Sequence, residues 1–330
     1  MTEFQHITIL DPDTYIYIGW GIMLFLVLMA VLVCLYSKRK WLKKCVTLLP
    51  CVLLPVFIYG TYFGIRHLEV NHLELQFEDL PEAFDGYTIV QISDLHVGTL
   101  TGSRRELLER AIDSVNAQKA DMVVFTGDLQ NREPDEVEPF KELLSSIKAK
   151  DGVYSVMGNH DYPFYSDSTD FVRYANIGVR TGLDEELGWN LLINSHMTIH
   201  RQDQRLVIAG MDNDGDGKRF PQNGNVNLAL YGVRRKDFIV MLEHDPSAWR
   251  RKILPHSHAQ LTLSGHTHGG QLSVFGWSPV SLKYKELSGL YSAGNRYLYV
   301  SNGLSGVLPF RVGTPGEVTV ITLRKMKNEK

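Results

Sequence analysis

The strongest constraint on this chain is a run without charged side chains, residues 15–36 (YIYIGWGIMLFLVLMAVLVCLY), close to its N-terminus. About 20 apolar residues suffice for a helix to cross a bilayer. A second charge-free stretch, residues 45–65, contains Pro50 and Pro55, which are expected to kink it. The sequence therefore predicts a transmembrane helical hairpin with spans at about 15–36 and 45–65. Residues 1–66 would form the anchor, and residues 67–330 one large domain.

Positive charge is concentrated between the two apolar stretches, in SKRKWLKK, whereas no Lys or Arg precedes the first stretch. Short basic loops stay in the cytoplasm. This bias predicts a multi-pass protein of the cell (inner) membrane, with its large domain on the extracytoplasmic side. The first 14 residues lack the positive start of a cleavable signal peptide, so the anchor is expected to remain. The alternative is that only the first stretch spans, which would reverse the side of the domain.

Composition excludes some functions of the domain. The formal net charge is -3 and Lys and Arg alternate with acidic residues, so nucleic acid is not an expected partner. The cysteines, Cys34, Cys45 and Cys51, lie in the predicted anchor. The domain therefore has no disulfide, thiolate nucleophile or cysteine-rich zinc site.

Beyond the anchor, apolar runs rich in β-branched residues alternate with amphipathic stretches. The runs are residues 87–93, 122–127, 153–158, 205–210, 237–244 and 261–266. Residues 103–119 and 135–148 read as helices, with Ser103 and Asp135 as N-caps. HLELQF and shorter stretches at 190–201 and 296–323 read as further strands. This alternation predicts an α/β domain.

Polar clusters follow all but one of the apolar runs. They are Asp94-Leu95-His96, Gly127-Asp128, Gly158-Asn159-His160-Asp161, Glu243-His244-Asp245 and Gly265-His266-Thr267-His268. Carboxylate, imidazole and amide oxygen are ligands suited to Mn, Fe or Zn. One such cluster alone is more often an ordinary loop, but five in series at predicted strand ends indicate a metal site.

In this order and spacing, the clusters resemble the calcineurin-like metallophosphoesterase superfamily, over about residues 68–323. SDLH, GHTHGGQ and the closing LPFRVGTPGEVTVITL look like a membrane-associated bacterial phosphodiesterase branch of it. The resemblance implies a four-layer α/β/β/α sandwich with two divalent metal ions at its rim. It assigns Asp94, His96 and His268 to the first ion and Asn159, His244 and His266 to the second, with Asp128 bridging both.

The resemblance also suggests catalytic residues. His160 would protonate the leaving oxygen or stabilise charge there, with Asp161 orienting the imidazole. Arg311 could grip phosphate oxygens, or could instead pair with Glu317 for structure.

Two divalent ions carry four positive charges, of which Asp94 and Asp128 would cancel two. The excess favours a bridging hydroxide and an anionic phosphate. The expected activity is therefore hydrolysis of a phosphodiester or pyrophosphate, in an amphiphile held at the membrane, by attack of that hydroxide. The alternatives are a phosphomonoesterase on a soluble substrate and a non-catalytic, membrane-tethered metal-binding scaffold. The sequence leaves the metal identity and the oligomeric state open.

Overall fold

A computed structural model describes residues 9–162, 180–217 and 220–327. The chain begins with two long apolar helices, α1 (Pro12–Tyr36) and α2 (Lys40–Tyr62), which form an antiparallel hairpin. Pro50 and Pro55 both lie inside α2. The ring of Trp20 stands edge-on to Phe57 at 5.3 Å across the hairpin. The predicted hairpin is thus confirmed, and both helices are long and apolar enough to cross a membrane.

The rest of the described chain contains two six-stranded sheets. In chain order the strands are β1 (Leu68–Phe77), β2 (Thr88–Ile92), β3 (Met122–Phe125), β4 (Val153–Ser155), β5 (Asn190–Leu191), β6 (Ser195–Arg201), β7 (Gln204–Gly210), β8 (Phe238–Leu242), β9 (Leu261–Ser264), β10 (Gly289–Ala293), β11 (Arg296–Val300) and β12 (Gly316–Lys325). Each of the six apolar runs overlaps one of these strands, and HLELQF lies in β1. The α/β prediction is confirmed.

Both sheets are mixed. The first has the order β1-β12-β2-β3-β4-β5, and the second has the order β10-β11-β9-β8-β7-β6. In the first sheet β2, β3, β4 and β5 run parallel, while β12 is antiparallel to β2 and parallel to β1. In the second sheet β7, β8, β9 and β11 run parallel, between antiparallel β6 and β10.

The helices are short and lie on the outer faces. They are α3 (Arg105–Ala117), α4 (Lys141–Ser145), α5 (described over residues 180–187), α6 (Val226–Ala229) and α7 (Leu254–His256), the last preceded by a π-helical turn, Trp249–Ile253. Side chains of β2 and β12 alternate between two cores, as the period of a strand requires. Val90 and Val320 pack under α3, whereas Ile89 and Ile321 face the second sheet. A third core covers the outer face of the second sheet, completing the predicted α/β/β/α order.

Two helix starts differ from the prediction. The N-cap of α3 is Arg104, not Ser103, because residues 102–104 form a separate 3-10 turn, and Ser103 Oγ instead accepts a hydrogen bond from Arg66 at 2.6 Å. The stretch predicted as a helix at 135–148 is a 3-10 helix, Pro134–Phe140, followed by α4. Pro139 lies inside the 3-10 segment and has no N–H to donate to an α-helix.

Strand register fixes where the chain enters the domain. After α2, a 3-10 turn at Gly64–Arg66 leads directly into β1. Leu68 at the start of β1 pairs with Gly316, and β12 then pairs antiparallel with β2 through Thr319 and Gln91. The carboxyl ends of β2, β3 and β4 therefore lie at the same edge as the end of α2.

Candidate metal centre

The polar clusters lie in loops after five strands. Asp94 and His96 follow β2, Asp128 follows β3, Asn159 follows β4, His244 follows β8, and His266 and His268 follow β9. The two sheets face each other, so the carboxyl ends of these strands converge on one edge. All seven sequence-predicted ligands are thereby brought together.

One group combines Asp94, His96, Asp128 and His268, with one ligand atom of each within 4.8 Å of the others. His96 Nε2 lies 3.4 Å from Asp128 Oδ2, and His268 Nδ1 lies 3.8 Å from Asp94 Oδ1. The carboxylate of Asp94 is held by the backbone N–H of His266 at 3.0 Å. These four side chains could hold one metal ion.

A second group combines Asp128, His244 and His266 under the same limit. His244 Nε2 lies 3.3 Å from Asp128 Oδ2 and 3.2 Å from Asn159 Oδ1. His266 Nδ1 lies 3.2 Å from His244 Nε2. Asp128 belongs to both groups, so the arrangement is that of a dinuclear centre with one shared carboxylate.

The backbone at this edge adopts a left-handed conformation that residues other than glycine rarely take. Positive φ occurs at Asp94 (51°), His96 (41°), Asp128 (60°), His266 (72°) and His268 (53°). Such residues cost about 1–3 kcal/mol each and cluster at functional sites. The surrounding hydrogen bonds and packing must hold these loops in place.

Buried polar atoms show whether the residues fit metal ions. His96 is fully buried, yet neither of its ring nitrogens has a hydrogen-bond partner among the described residues, and the same holds for Nδ1 of His268. A buried unpaired polar group costs about 1–3 kcal/mol. Coordination would satisfy these nitrogens, and the carboxylates of Asp94 and Asp128 would supply negative charge. The residues present therefore fit a pair of divalent ions.

The negative charge of Asp128 and the positive charge of protonated His244 stabilise each other in the centre. Burial opposes ionisation of this carboxyl, but the neighbouring His244 holds its pKa well below the usual range. Against the effect of burial, Asp128 in turn raises the pKa of His244 to about 10. Burial lowers the pKa of His266 to about 4, so that imidazole is neutral at pH 7. Because metal binding requires deprotonated ligands, an ion here would replace the proton of His244.

Partners outside the predicted set orient the histidines. The carbonyl of Thr126 lies 2.7 Å from His244 Nδ1, and the Tyr284 hydroxyl lies 2.8 Å from His266 Nε2. Such outer contacts fix the tautomer and ring orientation of ligating histidines. Tyr284 follows no motif and comes close only through the tertiary fold, so the sequence carried no signal for it.

His160 is buried beside the centre, with its ring 4.6 Å from that of His96. Its backbone N–H donates to Asp128 Oδ1 at 2.8 Å, and its Nδ1 lies 2.7 Å from the carbonyl of Asn131. A carbonyl only accepts, so this contact places the Nδ1 proton toward Asn131. Burial lowers the pKa of the imidazole to about 3.

Asp161 makes contacts different from those predicted for it. Its carboxylate accepts from the backbone N–H groups of Asp128 (2.9 Å), Leu129 (2.9 Å) and Gly158 (2.8 Å), and pairs with buried Arg180 at 3.1 Å. It thus connects two ligand-bearing loops, while the carbonyl of Asn131 contacts the His160 ring. Arg180 had no sequence signal because it lies outside every motif.

Arg311 was predicted either to bind phosphate or to pair with Glu317, and in the structure its hydrogen bonds go to backbone carbonyls. The side chain is fully buried, and its guanidinium donates to backbone carbonyls, including those of Thr314 (3.1 Å) and Asn302 (2.9 Å). Glu317 accepts instead from the N–H of Asn302 at 2.9 Å. The two terminal nitrogens of the guanidinium are thus occupied by backbone carbonyls of residues 302–315, so Arg311 holds the loop after β11 in place.

Two mixed sheets between helical layers, with paired His/Asp clusters at the strand ends, define the class of the protein as a metallophosphoesterase, a hydrolase acting on phosphate esters. The model of the calcineurin-like phosphoesterase family matches residues 87–270. The chain belongs to this family.

Relatives extend the similarity beyond that segment. An uncharacterized metallophosphoesterase of Aquifex aeolicus is 30% identical over 274 residues, covering 81% of this chain and 95% of that protein. A transmembrane protein with metallophosphoesterase domain from Danio rerio is 30% identical over 281 residues, 81% of this chain, but the chain spans only 60% of its length. Such relatives suggest membrane anchoring. Among solved structures, a phosphopantetheinyl hydrolase from Mycobacterium tuberculosis aligns with 66% of this chain and 89% of its own, at 13% identity and a TM-score of 0.41.

Proposed function

We propose that this protein hydrolyses a phosphodiester or pyrophosphate in an amphiphile held at the membrane that carries its anchor. One observation carries the proposal: the dinuclear-type centre lies at the edge of the domain where α2 enters. We place the boundary of the anchor at residue 66, where the 3-10 turn Gly64–Arg66 ends. The proposal also places the chain in a membrane-associated branch of the family.

The start of the hairpin supports the same placement. Ile9 and Tyr15 pack against Met157 and Tyr162, which flank the loop containing Asn159 and His160. Asp13 accepts two hydrogen bonds from the Arg104 guanidinium, each 3.0 Å long. Both outer ends of the hairpin thus contact the domain near its candidate centre. A substrate anchored in lipid would meet the centre at high effective concentration.

We assign Asp94, His96 and His268 to one metal ion and Asn159, His244 and His266 to the other, with Asp128 shared. When bound, two such ions activate water and neutralise phosphate charge. We assign His160 to the leaving oxygen, where its Nε2 would stabilise or protonate that oxygen, and the Asn131 carbonyl 2.7 Å from Nδ1 orients the ring. Because burial lowers the pKa of the imidazole to about 3, this role requires the negative charge of a bound phosphate to keep Nε2 protonated. Asp161 positions the backbone of the Asp128 and Gly158 loops.

Asp128→Ala tests the assignment in the full-length protein. Because the carboxylate belongs to both groups, the variant should lose hydrolysis of bis-p-nitrophenyl phosphate together with at least one bound metal ion. Wild-type metal content and turnover would contradict a shared ligand. Faster turnover of p-nitrophenyl phosphate than of the diester by the unaltered protein would favour the phosphomonoesterase alternative.

Lipid preference requires a separate measurement. The detergent-solubilised and the reconstituted full-length protein are compared on phosphatidylglycerol vesicles and on a soluble diester with the same head group. We expect the reconstituted protein to hydrolyse the lipid faster than the soluble diester. Equal rates in both forms would refute the amphiphile proposal while leaving phosphoesterase activity intact.

We also propose that the domain lies outside the cytoplasm, because the opposite end of the hairpin is strongly basic. Lys38 and Arg39 lie between the helices, and Lys40, Lys43 and Lys44 lie in the first turns of α2. Alkaline phosphatase fused after residue 70 should be enzymatically active, and green fluorescent protein fused at the same position should not fluoresce. The opposite pattern would reverse the topology.

A further inference from the structure

A tight turn that begins six residues after His268 exposes two large aromatic side chains. In this aromatic turn, residues 274–277, Val274 and Trp277 exchange backbone hydrogen bonds of 2.9 and 3.1 Å. The intervening Phe275 and Gly276 both have positive φ, 52° and 79°, as in tight hairpin turns. Phe275 is 106% exposed and Trp277 is 56% exposed. A short, hydrogen-bonded turn holds these rings away from the domain surface.

Backbone hydrogen bonds join the aromatic turn to the end of α2. Ser273 donates to the carbonyl of Val312 at 2.8 Å, and the adjacent Arg311 donates to the carbonyl of Gly60 at 3.1 Å. Gly60 lies two residues before the end of α2 at Tyr62. A Cβ at Gly60 would lie 2.3 Å from the Phe310 ring, so the helix end and this loop are in close contact. The turn therefore lies beside the outer end of the predicted span.

The outer end of α2 is itself marked by exposed aromatic residues. Tyr59, Tyr62 and Phe63 are 48%, 40% and 64% exposed. Aromatic rings of spanning helices concentrate at the level of the lipid head groups. Leu308 is 42% exposed, and its carbonyl accepts from Gln271 in the segment leading to the turn, at 2.7 Å. Apolar surface thus continues from the helix end to the aromatic turn.

We propose that the aromatic turn inserts Phe275 and Trp277 into the head-group region of the membrane that the hairpin crosses. The lipid interface is the partner because the turn lies beside the end of α2, which would cross that membrane. Transfer of apolar rings from water into the interface is favourable in free energy. The turn begins six residues after His268, so its insertion orients the candidate metal centre toward the lipid surface. The inference requires the membrane anchor but is independent of substrate chemistry.

Tryptophan fluorescence tests the proposal in the reconstituted full-length protein. The emission of Trp277 is obtained as the difference between the wild-type protein and Trp277→Phe, which keeps an aromatic ring at this position. We expect lipids brominated near the head groups to quench most of this difference emission, and aqueous iodide to leave most of it. Difference emission quenched by iodide and unaffected by brominated lipid would overturn the proposal.

Met326→Trp provides a matched control. Met326 is 37% exposed and directly follows β12. The ten-residue pairing of β1 with β12 begins beside α2, and Met326 lies at its opposite end. Ten residues of strand span about 30 Å. The added tryptophan should be quenched by iodide and not by brominated lipid. Equal lipid quenching at both positions would mean that the whole domain lies in lipid, which would refute a specific role of the turn. Loss of phosphoesterase activity affects neither readout, so the proposed function and this inference fail separately.

Discussion

Gly158→Ala is the sharpest test of how the centre is held. Gly158 has φ -97° and ψ 179°, a conformation open to alanine, so backbone strain does not interfere. The added Cβ would lie 2.1 Å from Asp128 Oδ1 and 2.5 Å from the Asp128 nitrogen. That oxygen already accepts from the His160 N–H at 2.8 Å, so the carboxylate cannot move without losing this hydrogen bond. Relief of the clash requires a displacement of about 1 Å, and a misplacement of this size can cost roughly 100-fold in rate.

We therefore expect Gly158→Ala to lower bis-p-nitrophenyl phosphate turnover by about 100-fold and metal affinity by about 10–100-fold. Overpacking should also cost about 1–3 kcal/mol of stability, visible in a thermal melt. Gly182→Ala is the control, because Gly182 lies in α5 with no atom within 4 Å of its added Cβ. This control should keep wild-type activity and gain about 0.5–1 kcal/mol. A folded Gly158→Ala protein with wild-type metal content and turnover would refute the geometry of the centre.

Further substitutions separate catalysis, ligand orientation and folding. His160→Ala should retain its metals and slow alkyl phosphodiesters more than p-nitrophenyl esters, because poor leaving groups need protonation most; equal losses would contradict a role at the leaving oxygen. Tyr284→Phe removes the hydroxyl 2.8 Å from His266 Nε2 and should weaken metal binding by about 10-fold. A competition titration with a chelator measures this affinity. Unchanged affinity would show that the contact does not orient the ligand. Arg311→Met leaves buried backbone carbonyls without a donor, which costs about 1–3 kcal/mol for each such group, so the urea midpoint should fall. Any folded fraction should keep its KM for p-nitrophenyl phosphate, and a raised KM with unchanged stability would restore a phosphate-binding role.

Local chemistry made much of this protein predictable from its sequence. Charge-free stretches predicted the hairpin, because a bilayer span needs a continuous apolar segment. Strand periodicity and the polar clusters predicted which loops converge, since the carboxyl ends of neighbouring parallel strands meet at one edge. Asp94, Asp128 and His244 could therefore be identified as candidate ligands without coordinates, and the structure brings them together.

Contacts between distant segments had no such local signal. Arg311 was placed near phosphate by its motif, but only packing shows that the guanidinium is buried among carbonyls. The orienting contacts of Asn131 and Tyr284 join separate loops, to residues 29 and 18 positions away in the chain. Likewise, the nearness of the hairpin to the metal edge follows from the pairing of β1 with β12 and of β12 with β2, which a single strand does not specify. The sequence determined the ligand types and the apolar anchor, because each depends on neighbouring residues. The tertiary structure alone decided which side chains support the ligands and which edge faces the anchor, because both depend on pairings between segments remote in the chain.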